Sequence, residues 1–287
     1  MKFGFVPAYG GHNIADPSYA ILLAQLVEEA GLESIWAVEH IVVPTNYASQ
    51  YPYSPDGRNP LSSSDSIPDP LEWLAFVAAV TTKVRLGTAM LILPQHNPLV
   101  LAKRLATIDT LSAGRVIVGV GVGWLREESD ALGARFDERG QVADEYIGVL
   151  RALWRDHPAS FNGRFVKFAD VWSCPAPAQS NGLPIVIGGH SEAAARRAGR
   201  LGDGFFPLGV DQDRLRVLLN AMRDEAVLAG RNPDLIEISA SGTMNIEKAK
   251  RLEELGVSRL MISPRNPGID TARELIERFV DLIGSKM

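Results

Sequence analysis

Eight times along this chain, a short and nearly unbroken run of apolar, β-favouring residues is followed by a longer stretch with helical periodicity. The runs span 2–7, 34–38, 84–91, 115–121, 184–189, 203–208, 236–242 and 258–263. Val-Ile-Val-Gly-Val and Ile-Val-Ile-Gly, taken from two of them, show no alternation of apolar with polar residues. Parallel strands covered on both faces have that pattern, because each crossover connection lays a helix against the sheet. The matching helices are expected over 17–30, 70–82, 98–112, 138–154, 191–201, 211–229, 245–255 and 270–284. Asp16-Pro17, Asp69-Pro70 and Asn97-Pro98 each set a capping side chain before a proline suited to the first helical position. Gly31, Gly114, Gly202 and Gly256 stand where helices are expected to stop. Eight strand–helix units within 287 residues fit an α/β fold of the closed (β/α)8 TIM-barrel type better than an open doubly wound sheet. The whole chain, 1–287, is expected to form one domain.

Three connections are too long for simple turns. Residues 41–68, rich in Tyr, Ser, Pro and Asn, follow the second strand, and 122–137 follow the fourth. Residues 157–183 precede the fifth and contain a hairpin pattern over 160–171, turning at Asn162-Gly163. A TIM barrel builds its active site at the C-terminal ends of its strands, so the first two insertions belong to the functional face. A disordered insertion and a folded pocket wall both suit 41–68; Tyr47, Tyr51 and Tyr53 favour the wall. The net charge of −5 is spread through the chain with no basic stripe, which argues against nucleic acid as a partner. No apolar stretch approaches the roughly 20 residues of a membrane helix, and the run before Pro7 is too short for a signal peptide. Cys174, the lone cysteine, has no partner for a disulfide or a zinc pair. These features predict a cytoplasmic protein that acts on small molecules.

Four of the five histidines fall at or just beyond strand ends: His12, His40, His96 and His190. His157 lies in a linker and is expected to be exposed. Imidazole, with an ordinary pKa of about 6.5, serves as acid, base or metal ligand. Glu39 and His40 end the second strand and point in different directions, so one can face the barrel mouth while the other braces it. The segment Gly119-Val-Gly-Val-Gly123-Trp124 removes side chains from one face of the fourth strand. Two readings suit it: backbone left open to a flat ring, with Gly121, Gly123 and Trp124 at its edge, or relief of crowding inside the barrel. Gly188-Gly189-His190-Ser191 leads from the fifth strand into a helix. Exposed amides and a helix N-terminus make a phosphate cradle, although a tight capped turn explains the same residues.

The stretch 86–98, Leu-Gly-Thr-Ala-Met-Leu-Ile-Leu-Pro-Gln-His-Asn-Pro, resembles the third strand of the bacterial-luciferase-like family of flavin- and deazaflavin-dependent oxidoreductases. The pattern Asp109-x-Leu-Ser-x-Gly-Arg115 that follows is among that family's most specific signatures, and the resemblance runs from residue 1 to about 209. Around Trp124 the run Gly-x-Gly-Trp-Leu-x-Glu-Glu looks most like the actinobacterial branch assigned to the deazaflavin coenzyme F420. The resemblance implies F420 as cofactor, with FMN as the alternative, and a cis peptide joining Ala89 to Met90 behind the central ring. It implies phosphate binding by Gly188, Gly189, His190 and Ser191. His40 matches the His beside the reactive carbon in deazaflavin-dependent sugar dehydrogenases, and Glu39, in place of the usual Asp, could orient it. Those dehydrogenases carry a Glu where Trp124 stands here, which argues against sugar-phosphate oxidation. His12, Tyr47, Tyr51, Tyr53 and His96 are expected in the substrate pocket, and a homodimer paired through the early helices is implied.

The function expected is hydride transfer between F420 and a small organic substrate, with His40 and Glu39 as catalytic pair. An FMN-dependent luciferase-like monooxygenase is the alternative within the family. A metal-dependent barrel hydrolase would use the rim histidines, but no HxH pair ends the first strand, and Pro264-Arg265-Asn266 stands where an Asp would follow the last; no metal ligands are assigned. A flavin-binding barrel without turnover completes the alternatives.

Overall fold

The computed structural model of the protein describes residues 1–10 and 13–287, without the side chain of Asn13. Its first half runs β1 (Lys2–Phe5), α1 (Pro17–Glu29), β2 (Ser34–Ala37), α2 (Pro70–Val80), β3 (Arg85–Thr88), β4 (Leu91–Ile92), α3 (Pro98–Leu111), β5 (Val116–Gly121), α4 (Arg126–Ala131) and α5 (Arg139–Arg155). A hairpin, β6 (Ala159–Asn162) and β7 (Lys167–Val171), precedes β8 (Ile185–Gly188), α6 (Glu192–Leu201), β9 (Gly204–Phe206), α7 (Gln212–Leu228), β10 (Glu237–Ser241), α8 (Ile246–Glu254), β11 (Val257–Ile262) and α9 (Ile269–Leu282).

The large sheet is parallel in the order β3-β2-β1-β11-β10-β9-β8-β5-β4, and pairing of Leu86 with Val116 and Gly87 with Ile117 closes it into an eight-position barrel. The expected third strand is two pieces, β3 and β4, separated by a cis peptide between Ala89 and Met90. Asp16, Asp69 and Asn97 cap as expected: Asp69 accepts from Leu71 N at 2.8 Å, and Asn97 from Leu99 N at 3.0 Å. Gly202 departs from the stop pattern. Its φ is −85°, so it needs no left-handed freedom; a Cβ there would sit 2.8 Å from Gly204 O. The Asp109-to-Arg115 signature, at the C-terminal end of α3, does structural duty at the far end of the barrel. Buried Asp109 accepts from Val116 N at 3.2 Å and from the Gln179 amide at 2.8 Å, while Arg115 binds Ser112, Thr81, Val84 and Ala78.

Inward residues of the strands fill the lower barrel and floor the cavity above. Trp36 is fully buried, and Gly87 opposite has to lack a side chain, since a Cβ would fall 2.2 Å from the indole. Below it the buried Arg259 guanidinium binds Glu33 at 2.8 Å and Glu237 at 3.0 Å. Burial alone would lower its pKa, but these carboxylates hold it above its ordinary value. Among the described residues no helix is long and apolar enough to cross a membrane.

Candidate active site

A cavity of about 900 Å3 opens at the C-terminal mouth, walled by residues at or just past the ends of β1, β2, β3, β5, β8, β9 and β11, by Ile92 of β4 and by part of 41–68. His40 and Glu39, just past the end of β2, diverge there, as successive side chains of a continued strand would. His40 turns inward, with Nδ1 2.9 Å from Glu128 Oε2 of α4. The other Glu128 oxygen accepts from Ile41 N at 2.8 Å and Val42 N at 3.3 Å. Glu39 turns outward to the neighbouring strand, accepting from Ile92 N at 2.5 Å, with its oxygens 3.0 and 3.1 Å from His96 Nε2. Glu128, not Glu39, therefore orients His40.

Met90, projecting from the cis bulge, occupies the centre of the barrel mouth. The glycines around it divide between the two roles open to them. A Cβ on Gly119 would lie 1.9 Å from Thr88 O and 2.8 Å from Met90 Sδ, and one on Gly188 would lie 2.5 Å from Met90 Cγ. Both make room for the bulge, so Gly119 relieves crowding and does not open a surface to a ring. Gly121 and Gly123 line the cavity, with Met90 beside Gly121 and Ile92 beside Gly123.

At the β8 end, Ser191 Oγ accepts from Ala194 N at 3.2 Å and caps α6, and Gly189 has φ +128°. Two arginines that sequence reasoning missed reach this corner. Arg197 pairs with Asp144 and donates to Gly140 O at 3.1 Å; Arg139 lies 3.9 Å over the Phe136 ring and donates to Phe136 O at 2.8 Å. Burial lowers the Arg139 pKa, and the charge of Arg126 lowers it further. Arg139 Nε and His190 Nδ1 are buried with no hydrogen-bond partner among the described residues. Each such group costs about 1–3 kcal/mol when left unmet. A phosphate against Gly188–Ser191 is an acceptor of the right charge for both arginines and for the helix N-terminus.

Aromatic rings span the opening. Trp124 meets His40 at 6.1 Å and Tyr51 at 5.1 Å, Tyr51 meets Tyr53 at 5.4 Å, and Tyr53 meets His190 at 5.2 Å, all edge-on. Burial pushes the Tyr53 hydroxyl up to about 12. Residues 41–68 thus form a folded wall. α4 clamps it: Glu127 accepts from Ala48 N at 2.6 Å and Ser49 N at 3.2 Å, and Arg126 N donates to Ser49 Oγ at 3.1 Å. Hydrogen bonds from Ser49 and the Ala48 amide hold the Glu127 carboxyl down at about 2.

Two residues expected in the pocket stand a layer behind it. Tyr47 packs against Trp124 at 5.7 Å and accepts from Asn59 N, and His96 sits behind Glu39. His12 lies outside the described residues. His157 is exposed, as expected. His40, His96 and His190 face separate neighbours, namely Glu128, Glu39 and Tyr53, and do not gather around one point.

The profile described as luciferase-like monooxygenase matches residues 1–262. The chain belongs to the luciferase-like monooxygenase family. Relatives of this luciferase-like barrel include an uncharacterized protein of Mycobacterium tuberculosis, 33% identical over 261 residues, covering 89% of this chain and 90% of that one. An F420-dependent glucose-6-phosphate dehydrogenase of Amycolatopsis mediterranei is 29% identical over 275 residues, covering 92% of this chain and 77% of the relative. Among solved structures, an F420-dependent secondary alcohol dehydrogenase superposes with a TM-score of 0.79 over 100% of this chain and 99% of the other, at 18% identity. Its likeness is one of fold, and the luciferase-like barrel described above shares it.

Proposed function

We propose that this luciferase-like barrel is an oxidoreductase that moves hydride between the deazaflavin coenzyme F420 and a small organic substrate. One observation carries the reading: a single cavity joins an anion cradle with unmet buried donors to a histidine held by a carboxylate, with the Met90 bulge between them. Similarity to the F420-dependent Amycolatopsis enzyme along nearly the whole chain supports F420 as the cofactor. Bound there, the deazaflavin supplies a ring carbon that gives or takes hydride. Gly188, Gly189 and Ser191, with Arg139 and Arg197, would hold its phosphate, and Ala89 and Met90 would line the part of the cavity that takes its ring. His40 holds or delivers a proton at Nε2, facing the substrate atom whose charge changes as hydride moves. Trp124, Tyr51 and Tyr53 exclude water and pack an apolar or conjugated substrate, with an indole and not a carboxylic acid at position 124.

The protein is read as cytoplasmic and homodimeric. Leu22, Phe76 and Val100, on α1, α2 and α3, are 52, 41 and 57% exposed and favour pairing through those helices; sedimentation as a monomer at micromolar concentration contradicts the dimer. Turnover is tested without oxygen, by following the F420 absorbance with panels of alcohols, ketones and conjugated carbonyls. Cofactor oxidation or reduction with any of them supports the reading. Turnover seen only with reduced FMN and oxygen replaces it with the monooxygenase alternative.

A further inference from the structure

We propose that Glu128 is a positioning residue that decides which nitrogen of His40 carries the proton, so that neutral His40 meets the cavity with an unprotonated Nε2. A role for this in turnover rests on His40 being the proton-handling group of the proposed oxidoreductase; the tautomer itself does not.

Glu128 is buried to 2% side-chain exposure and His40 to 11%, so water does not compete strongly for their contact. Oε1 of Glu128 is engaged by two backbone amides, Ile41 and Val42, and Oε2 stands 2.9 Å from His40 Nδ1. A carboxylate only accepts hydrogen bonds, so Nδ1 has to donate. A neutral imidazole has one N–H, and with it spent on Glu128 the lone pair lies on Nε2. No described residue hydrogen-bonds Nε2, and His40 lines the cavity. Free histidine favours the opposite tautomer, with the proton on Nε2, so the protein imposes this one. The edge contact with Trp124 at 6.1 Å adds a second restraint on the ring. In this state His40 takes a proton from a substrate O–H or N–H, and once protonated it returns one to an oxygen or nitrogen gaining charge.

The same carboxylate fixes the first two amides of the 41–68 wall, and its neighbour Glu127 fixes Ala48 and Ser49. Seating of the wall and alignment of His40 therefore share one side chain. The simpler role, a clamp for the wall alone, makes no demand on the His40 tautomer, and that separates the two.

The first measurement uses the whole protein with 15N-labelled imidazole rings, with His40 assigned by the signal lost in His40→Ala. Under conditions where His40 is neutral, the coupling pattern is expected to show Nδ1–H. In Glu128→Gln the carboxamide oxygen can keep the Ile41 and Val42 amides while its NH2 donates to Nδ1, so the pattern is expected to switch to Nε2–H. Nε2–H in the unaltered protein overturns the proposal, and so does an unswitched Gln variant. Reversing the histidine tautomer in a Ser-His-Asp triad costs about 10,000-fold in kcat. Glu128→Gln is expected to lose roughly 100- to 1,000-fold in kcat, no more than His40→Ala loses, with cofactor affinity unchanged, and His40→Ala/Glu128→Gln to lose no more than His40→Ala. Losses that multiply in the double variant overturn the action through His40. Failure of F420 to bind the unaltered protein removes the oxidoreductase reading and leaves the tautomer result standing.

Discussion

Replacing Glu39 with Ala tests whether that carboxylate anchors the bulge at the centre of the site. Its side chain is 1% exposed, and it is the acceptor for the Ile92 amide at 2.5 Å and for His96 Nε2 at 3.0 Å. Ile92 is 9% exposed, so its amide loses its acceptor with little access to water, at about 1–3 kcal/mol. His96 is 11% exposed on its side chain and recovers some of its loss from solvent. With the void left by the missing side chain added, destabilisation of about 2–4 kcal/mol is expected. For a chain of this size that corresponds to a fall of roughly 3–7 °C in Tm. Leu91 and Ile92 pair with Val120 and Gly121, so loosening Ile92 also shifts the bulge beside Gly121. Affinity for the cofactor should therefore fall more than kcat at saturating cofactor, the reverse of the pattern expected for Glu128→Gln. Calorimetric unfolding and a cofactor titration read both effects, and Glu39→Gln, which keeps an acceptor, should lose less. An Ala variant that unfolds within about 1 °C of the unaltered protein would refute the anchoring role, since an unmet buried amide alone exceeds that.

Gly189→Val forces a β-branched residue into φ +128° with its Cβ 3.0 Å from Ala194. Loss of one or two charge-assisted contacts should weaken cofactor binding roughly 10- to 100-fold; unchanged affinity moves the phosphate to another part of the mouth. His40→Ala should lower kcat about 100- to 10,000-fold with cofactor affinity little altered. A loss that saturating cofactor restores makes His40 a binding group only. Glu127, depressed to about 2 against an ordinary value of about 4.3, favours the seated wall as an anion. That contribution is complete above the ordinary carboxylate range and is lost as pH falls through about 2, so protection of the Ala48 and Ser49 amides should decline on acidification. Glu127→Gln should lower the same protection at neutral pH, and equal protection in both proteins contradicts the clamp.

The eight barrel strands were legible because burial on both faces makes them continuously apolar, and the capped helix starts were legible because Asp-Pro and Asn-Pro act locally. The 160–171 hairpin followed from Asn162-Gly163 for the same reason: Gly163 N closes on Val166 O at 2.9 Å. Helix α4 left no such trace, being six largely charged residues preceded by Leu125, which offers no capping side chain. Its carboxylate reaches His40 across 88 positions, and no local pattern encodes that meeting. Sequence order put Glu39 beside His40, yet strand geometry sends it to Ile92 and His96. Arg139 and Arg197 were hidden in the same way, on helices whose register over the cradle is fixed only when the barrel closes. The break at Ala89–Met90 came from family resemblance alone, since Ala and Met signal nothing of the kind.

Equilibrium titration of the purified protein with F420 and, separately, with FMN, followed by cofactor fluorescence and repeated with Gly189→Val, tests the proposed function most directly. Saturable F420 binding that the substitution weakens, with FMN bound much less tightly, is the predicted result. Saturable FMN binding with no affinity for F420 contradicts it.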